Sequence, residues 1–421
     1  MSWHTSADIE LREFRRTDRP VELTSADRTY LDRLADRAAD RGGLDEPPLN
    51  PIAVGGDRYH LEAAHYVGAL GLPSGLQVAI EPKAGRTNFG HLLRYGHRVD
   101  PLIEDGQTKL GAGETFLDSL AALYCAELDP LLRRGLDRDY ERAEENRDRQ
   151  RGRLDLGRQL QREGPVPTGF ECTFERLTED TLLNRAVLYA ATVLRRNVRS
   201  PSIGAELRQK EQQLRRHVTP TTVRPTDLDR ITLTRLNRRY ETILELAGLV
   251  IRGVYAGDRE PRPTASFVVN MNRTFEGVVE RALEAAFAGR DGWRVATQED
   301  LRSLTADGDF LLRPDAVVYD ADDEIRLVCD AKWKPLHGTP RRDDLYQLVA
   351  YQAATGAPAL LCYPQLGRMG RAVHDVSNLG PLGLLQLPTD ADVDSYRAFV
   401  REVERAVADA VDGLLERGQV G

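Results

Sequence analysis

The 421-residue sequence predicts a mixed α+β or α/β protein in three parts. These are a β-rich N-terminal domain (1–105), a helical middle region (106–258) with a basic segment at 195–240, and a C-terminal domain (259–421) in which helices flank a mixed central sheet. Three observations carry this. Short β-like runs broken by Gly/Pro turns fill the first hundred residues, wide apolar stripes at helical spacing dominate the middle, and helix, apolar strands and helix alternate after residue 270. A chain of this length has room for two or three cores.

In order, Ile9 to Phe14, Tyr59 to Tyr66 and Leu76 to Ile80 read as strands. A helical stretch is expected from Glu114 to about Gln161, interrupted at Pro130, with a linker from Gly164 to Gly169. Thr178 then opens a helix whose Leu182, Leu183, Ala186, Val187, Ala190, Ala191 and Leu194 form one apolar stripe. Between Arg195 and Arg239 twelve Arg or Lys stand against four acids, a net of +8. That stretch reads as a solvated helical linker or as a nucleic-acid track, with few aromatics to support the latter. Another helix ends near Gly253, and polar residues from Gly257 to Thr264 separate it from the last domain. There, a helix from Met271 ending at Gly289 precedes a strand from Leu311 to Tyr319, an acidic turn (Asp320 to Asp323) and a strand from Ile325 to Lys334. A helix from Asp343 to Gln352, a strand from Ala357 to Tyr363 and an amphipathic C-terminal helix containing Val393, Tyr396, Phe399, Val400, Val403 and Val407 complete the domain.

The strands from 311 and 325 carry the chemistry. In an extended chain Asp330 and Lys332 share a face, and a hairpin through the acidic turn brings Asp315 toward Asp330. Two carboxylates on adjacent strands form a hard-oxygen site suited to Mg²⁺ or Mn²⁺ beside a phosphodiester. Lys332 would orient or help deprotonate an attacking water, and Lys334 would be a phosphate contact or a solvated end. A surface hairpin with a solvated Asp–Lys pair fits the same spacing. The chain has only five lysines against 53 arginines, and two of the five lie in Asp330-Ala331-Lys332-Trp333-Lys334. Arginine does not replace a catalytic lysine well, because its planar fork stays charged. Glu276, in a row with Glu280 and Glu284, is either solvated surface or a third carboxylate, and Gln347 and Tyr351 lie four apart on one helical side.

Glu276, Pro314-Asp315, Asp330-x-Lys332 and Gln347-x-x-x-Tyr351, placed on helix, strands and helix in that order, resemble the PD-(D/E)xK nuclease superfamily and its RecB-related branch. Upstream, Ile80-Glu81-Pro82-Lys83, Gly135-Leu136-x-x-x-Tyr140, Arg151-Gly152-Arg153-Leu154, Glu179-Asp180-x-x-x-Asn184-Arg185 and Asn270-Met271-Asn272-x-x-Phe275-Glu276 resemble successive segments of the McrC family. Those proteins are nuclease subunits of McrBC modified-cytosine restriction systems. The resemblance implies a restriction-endonuclease-like C-terminal domain and a Mg²⁺-dependent DNA endonuclease. Its metal ligands would be Asp315, Asp330 and Glu276 with the Ala331 carbonyl, while Gln347 and Tyr351 would support the substrate backbone or the lysine. It also implies an AAA+ GTPase partner similar to McrB, which the chain stimulates, with GTP entering only through that partner. A non-catalytic activator of an NTPase and a stand-alone RecB-like repair nuclease are the alternatives.

Other features exclude competing classes. The net charge of −8 rules out a uniformly basic nucleic-acid coat, though not a local basic channel. Cys125, Cys172, Cys329 and Cys362 show no C-x-x-C pair, so buried free thiols rather than zinc or iron–sulfur ligands are expected. His60, His65, His91 and His97 lack metal-ligand spacing. Glu81-Pro82-Lys83 reads as a structural or partner-contacting turn, because Pro82 ends strand pairing. No Walker-type motif is present, so any NTPase must be another chain. The first residues lack an apolar h-region and no apolar run reaches about eighteen residues, so a cytoplasmic protein without membrane contact is expected.

Overall fold

In the computed structural model two units form, one from residues 1–120 with 253–421 and one from residues 121–252. The structure describes residues 8–39, 46–83, 86–97, 116–162, 169–254, 267–297, 299–301, 312–334, 336, 339–365, 371–376, 379–389, 393 and 395–418. The expected separators at Gly164–Thr168 and Gly257–Thr264 lie outside the described residues.

The first unit opens with β1 (Ile9–Arg12), β2 (Val21–Glu22), α1 (Ser25–Ala39), β3 (Leu49–Gly55), β4 (Arg58–Ala63), β5 (Tyr66–Gly71), β6 (Gln77–Glu81) and α2 (Arg86–Gly96). Strands form near the three expected positions, but the run expected from Tyr59 to Tyr66 ends at Ala63 in β4, and Tyr66 opens β5 in a different sheet. Helix α1 was not expected, although its start carries a reciprocal cap: Thr24 Oγ1 accepts from the Asp27 N–H at 3.2 Å, and Asp27 Oδ2 accepts from the Thr24 N–H at 3.0 Å. Strands β3 and β4 pair antiparallel through Gly55 and Gly56, whose φ angles of 136° and 62° suit glycine.

The second unit contains most of α3 (Phe116–Arg134), then β7 (Asp139–Arg147), β8 (Arg153–Leu154), α4 (Leu156–Arg162), β9 (Phe170–Thr178), α5 (Leu182–Asn197), α6 (Pro201–Leu214), the single turn α7 (Pro225–Leu228) and α8 (Glu241–Val254). The helix expected over 114–161 is therefore corrected. Asp139–Arg147 pairs antiparallel with β9 over its whole length, and its charges act across strands, as in Arg176 with Glu141 and Glu145, each at 3.1 Å. Pro130 does not interrupt α3, whose buried Leu120, Tyr124, Leu128 and Leu131 outweigh one lost helical hydrogen bond. Thr178 ends β9 rather than opening the helix; the stripe on α5 is buried apart from half-buried Leu182, and Thr181 caps its start by accepting from the Asn184 N–H at 3.2 Å. In the Glu179-to-Arg185 motif, buried Asn184 donates to the Asp137 and Glu179 carbonyls (2.9 and 2.6 Å) and accepts from the Tyr240 hydroxyl (2.9 Å), so this motif ties the unit together. Arg195 and Arg215 pair with Glu211, and Lys210 with Asp129 and Glu206. These three cations of the basic segment are thus neutralised within the unit.

Back in the first unit come β10 (Phe267–Asn270), α9 (Met271–Phe287), β11 (Arg294–Thr297), β12 (Ala316–Tyr319), β13 (Ile325–Ala331), α10 (Arg342–Thr355), β14 (Ala359–Pro364), β15 (Arg371–Val376), β16 (Gly380–Leu387) and α11 (Tyr396–Gly418). Six strands form a mixed sheet in the order β11-β12-β13-β14-β16-β15, whose inner strands β12 and β14 are wholly buried. Strand β10 leaves that sheet and pairs with β5, in the order β1-β6-β5-β10, so segments 1–105 and 259–421 contribute to one unit. Helix α11 packs on α9 and β16. Helix α9 ends at Phe287 with Ala288 as its right-handed cap, two residues short of the expected end at Gly289.

Helices α2 and α9 meet through Gly96 and Gly277, where a Cβ on Gly277 would lie 2.3 Å from the Gly96 carbonyl oxygen. Gly277→Ala, which raises intrinsic helix propensity, should instead destabilise the protein by about 1–3 kcal/mol through overpacking, read from denaturant unfolding.

Candidate active site

Strand register brings the two aspartates together. Ala316 pairs with Cys329, so Asp315 and Asp330 occupy neighbouring positions at one end of the β12–β13 ladder. Asp315 Oδ2 accepts the Ala331 N–H at 2.7 Å, which holds its carboxylate against β13. The turn between the strands forms as expected, with Asp320 Oδ1 accepting from the backbone of Asp322 and Glu324 at 3.0 Å each. Asp330 is 1% exposed and its Oδ2 lies 2.5 Å from the Lys332 ammonium, so the two share a face as strand alternation requires. That contact is close without being directional, and Oδ2 has no well-aligned hydrogen bond. A buried carboxylate oxygen in that state leaves coordination capacity open to a cation.

The site carries excess negative charge. Burial, then the charges of Asp330 and Glu276, push the Asp315 carboxyl up to about 8. Burial also raises Asp330, with Asp344 adding to the shift and Lys332 opposing it. For Lys332, burial works against the charged form, but Asp330, Asp315 and Asp344 outweigh it and hold its pKa above the ordinary value. Glu276 is half-buried on α9, whose N-terminus Asn270 caps by accepting from the Arg273 N–H at 3.2 Å. It acts on Asp315 electrostatically; among the described residues, no three acidic, His or Cys side chains converge into a metal cage. Two carboxylates side by side could serve Mg²⁺, which completes its shell with waters and substrate phosphate.

Gln347 and Tyr351 act as a clasp. Gln347 donates to the Tyr351 hydroxyl at 2.8 Å, which donates to the Arg313 carbonyl at 3.0 Å, fixing α10 to the chain just before Pro314-Asp315. Lys334 is neither a solvated end nor a free phosphate contact. Its ammonium lies 2.6 Å from Asp344 Oδ1, whose other oxygen accepts from the Tyr363 hydroxyl at 2.7 Å. Asp344 was missed in the sequence, where its signal is an acidic pair in the first turn of α10. Also missed was the setting of Trp333, which is fully buried against Phe275 at 5.4 Å between ring centroids and bonded to Glu13 and Lys83 of the N-terminal segment. The four cysteines are free and buried as expected, Cys329 and Cys362 lying 3.9 Å apart between sulfurs.

The family model described as "McrBC 5-methylcytosine restriction system component" matches residues 61–364. No curated protein sequence is significantly similar. Among solved structures, a chain of a Thermococcus gammatolerans assembly of McrB AAA+ hexamers with bound McrC is similar with a TM-score of 0.60 at 20% identity, covering 94% of this chain and 99% of that one. A chain of the Thermococcus gammatolerans McrBC complex, at 21% identity and a TM-score of 0.44, covers 66% of this chain and 88% of its own. Among the described residues no helix is long and apolar enough to cross a membrane.

Between the ordinary carboxylate value of 3.8 and about 8, folded Asp315 keeps a proton that the unfolded chain has released. The metal-free protein should therefore lose stability as pH rises through that window. Asp315→Asn should remove this loss, matching the parent below pH ~4 and exceeding it by about 1–3 kcal/mol near pH ~8 in denaturant titrations.

Proposed function

Because the chain belongs to the McrBC family of 5-methylcytosine restriction system components, we propose that it is the DNA-cleaving subunit of such a system, acting in the cytoplasm with an AAA+ GTPase similar to McrB. The observation that carries this reading is the buried Asp315–Asp330–Lys332 group, in which two carboxyl groups lie side by side with the lysine ammonium 2.5 Å from one of them. The similar Thermococcus gammatolerans chain comes from an assembly of McrB AAA+ hexamers with bound McrC, which supports the partner assignment.

Asp315 and Asp330, with the Ala331 carbonyl, would hold Mg²⁺ or Mn²⁺, and Glu276 would reach it through water. When bound, the metal would supply Lewis acidity toward a phosphodiester oxygen and lower the pKa of a water. Lys332, held charged by the surrounding carboxylates, orients the attacking water and offsets charge developing on phosphorus. The Gln347–Tyr351 clasp keeps the Asp315 strand in register with β13. Buried Asp315 must give up its proton for metal to bind, so Mg²⁺ affinity should rise with pH up to about 8.

Asp330→Ala should abolish Mg²⁺-dependent cleavage of cytosine-methylated plasmid by chain plus partner while leaving stimulation of partner GTP hydrolysis intact. Lys332→Ala should slow cleavage by about 10²–10³-fold, with Lys332→Arg failing to restore it. Equal cleavage by the parent and Asp330→Ala would overturn the site. Partner stimulation with no cleavage by the parent would favour the non-catalytic activator.

A further inference from the structure

Three of the chain's five lysines, Lys83, Lys332 and Lys334, gather around Trp333. The indole N–H donates to Glu13 Oε1 at 2.7 Å, and Glu13 Oε2 accepts the Lys83 backbone N–H at 2.9 Å. The Lys83 ammonium donates to the Trp333 carbonyl at 3.0 Å, lying 4.3 Å from the Trp333 ring centroid and 4.4 Å from that of Phe14. Glu13 and Trp333 are 2% and 1% exposed, so these bonds form out of water, where breaking them leaves a buried polar group unpaired. Phe14 takes φ 57°, a costly region for a bulky side chain, and its ring is thereby placed over the ammonium. The compact ammonium lies between two rings and one carbonyl.

These contacts hold the residue directly after Lys332 by both side chain and carbonyl, while the Lys334–Asp344 pair holds the next one. Lys332 itself is 25% exposed and its ammonium lies 2.5 Å from Asp330, so keeping that pair depends on the backbone that carries the lysine. We propose that Glu13, Lys83 and Trp333 are positioning residues for Lys332, so that the turn after β1 and the end of β6 complete the nuclease site from the N-terminal segment. The consequence for cleavage rests on the nuclease reading above; the positioning of Lys332 does not. Burial pushes Lys83 down to about 7 against the pull of Glu13, as expected of an ammonium whose partners are the rings, the carbonyl and one carboxylate.

The test uses the full chain with Glu13→Gln/Lys83→Met, which removes both buried charges at nearly constant volume and keeps an acceptor for the indole. Trp333→Phe is the second variant, deleting the indole bond together with part of the buried ring. Acylation of Lys332 by limiting acetic anhydride in metal-free protein, measured by peptide mass spectrometry against Lys210, should be three- to tenfold faster in each. Single-turnover cleavage with the partner at saturating Mg²⁺ should fall ten- to a hundredfold with little change in KM for DNA. Leu31→Ala, a core truncation in the N-terminal segment, should lower stability without changing either readout. Unchanged Lys332 acylation in the variants, or an equal rise in Leu31→Ala, overturns the proposal. Faster acylation with slower cleavage supports it, and faster acylation when the parent itself does not cleave upholds the positioning while removing the nuclease reading.

Discussion

Burial of Asp315 and Asp330 side by side on paired strands is the constraint around which this unit is organised. Two carboxylates in a low-dielectric position repel one another, and each separately resists losing its water. The fold compensates with the Ala331 N–H for Asp315 and the Lys332 ammonium for Asp330. The compensation is incomplete: both acids remain shifted upward and one Asp330 oxygen lacks an aligned partner. Incomplete compensation of buried carboxyl groups is a cost to the fold.

Neighbouring elements keep that arrangement in register. Tyr351 ties α10 to the Arg313 carbonyl, so the chain entering Asp315 cannot slide along β13. Asp344, on the first turn of the same helix, takes both Lys334 and the Tyr363 hydroxyl, joining the end of the Asp330 strand to β14. Phe275 packs on Trp333 and places Glu276 within electrostatic reach of Asp315. Helix α10 thus serves the site through backbone and second-partner contacts.

Legibility in the sequence followed interaction range. Alternation put Asp330 and Lys332 on one face, the acidic turn returned Asp315, and the four-residue spacing paired Gln347 with Tyr351, because each rule acts over a few residues. Asp139–Arg147, expected within a helical stretch, is instead a strand, because its partner β9 lies on another element that local pattern does not reveal. Lys334 was misjudged for the related reason that its partner lies on another element.

By itself, then, the sequence determined the strand–turn–strand frame that joins Asp315, Asp330 and Lys332, and the family, all of which rest on periodicity and ordered local patterns. Only the tertiary structure decided that β10 joins the N-terminal sheet and that Glu13 and Lys83 meet Trp333 across 320 and 250 residues of chain. It also showed that Glu276, on another element, raises Asp315 through its charge. Contacts between residues so far apart have no periodic signature; they arise when buried polar groups must find partners wherever packing brings them.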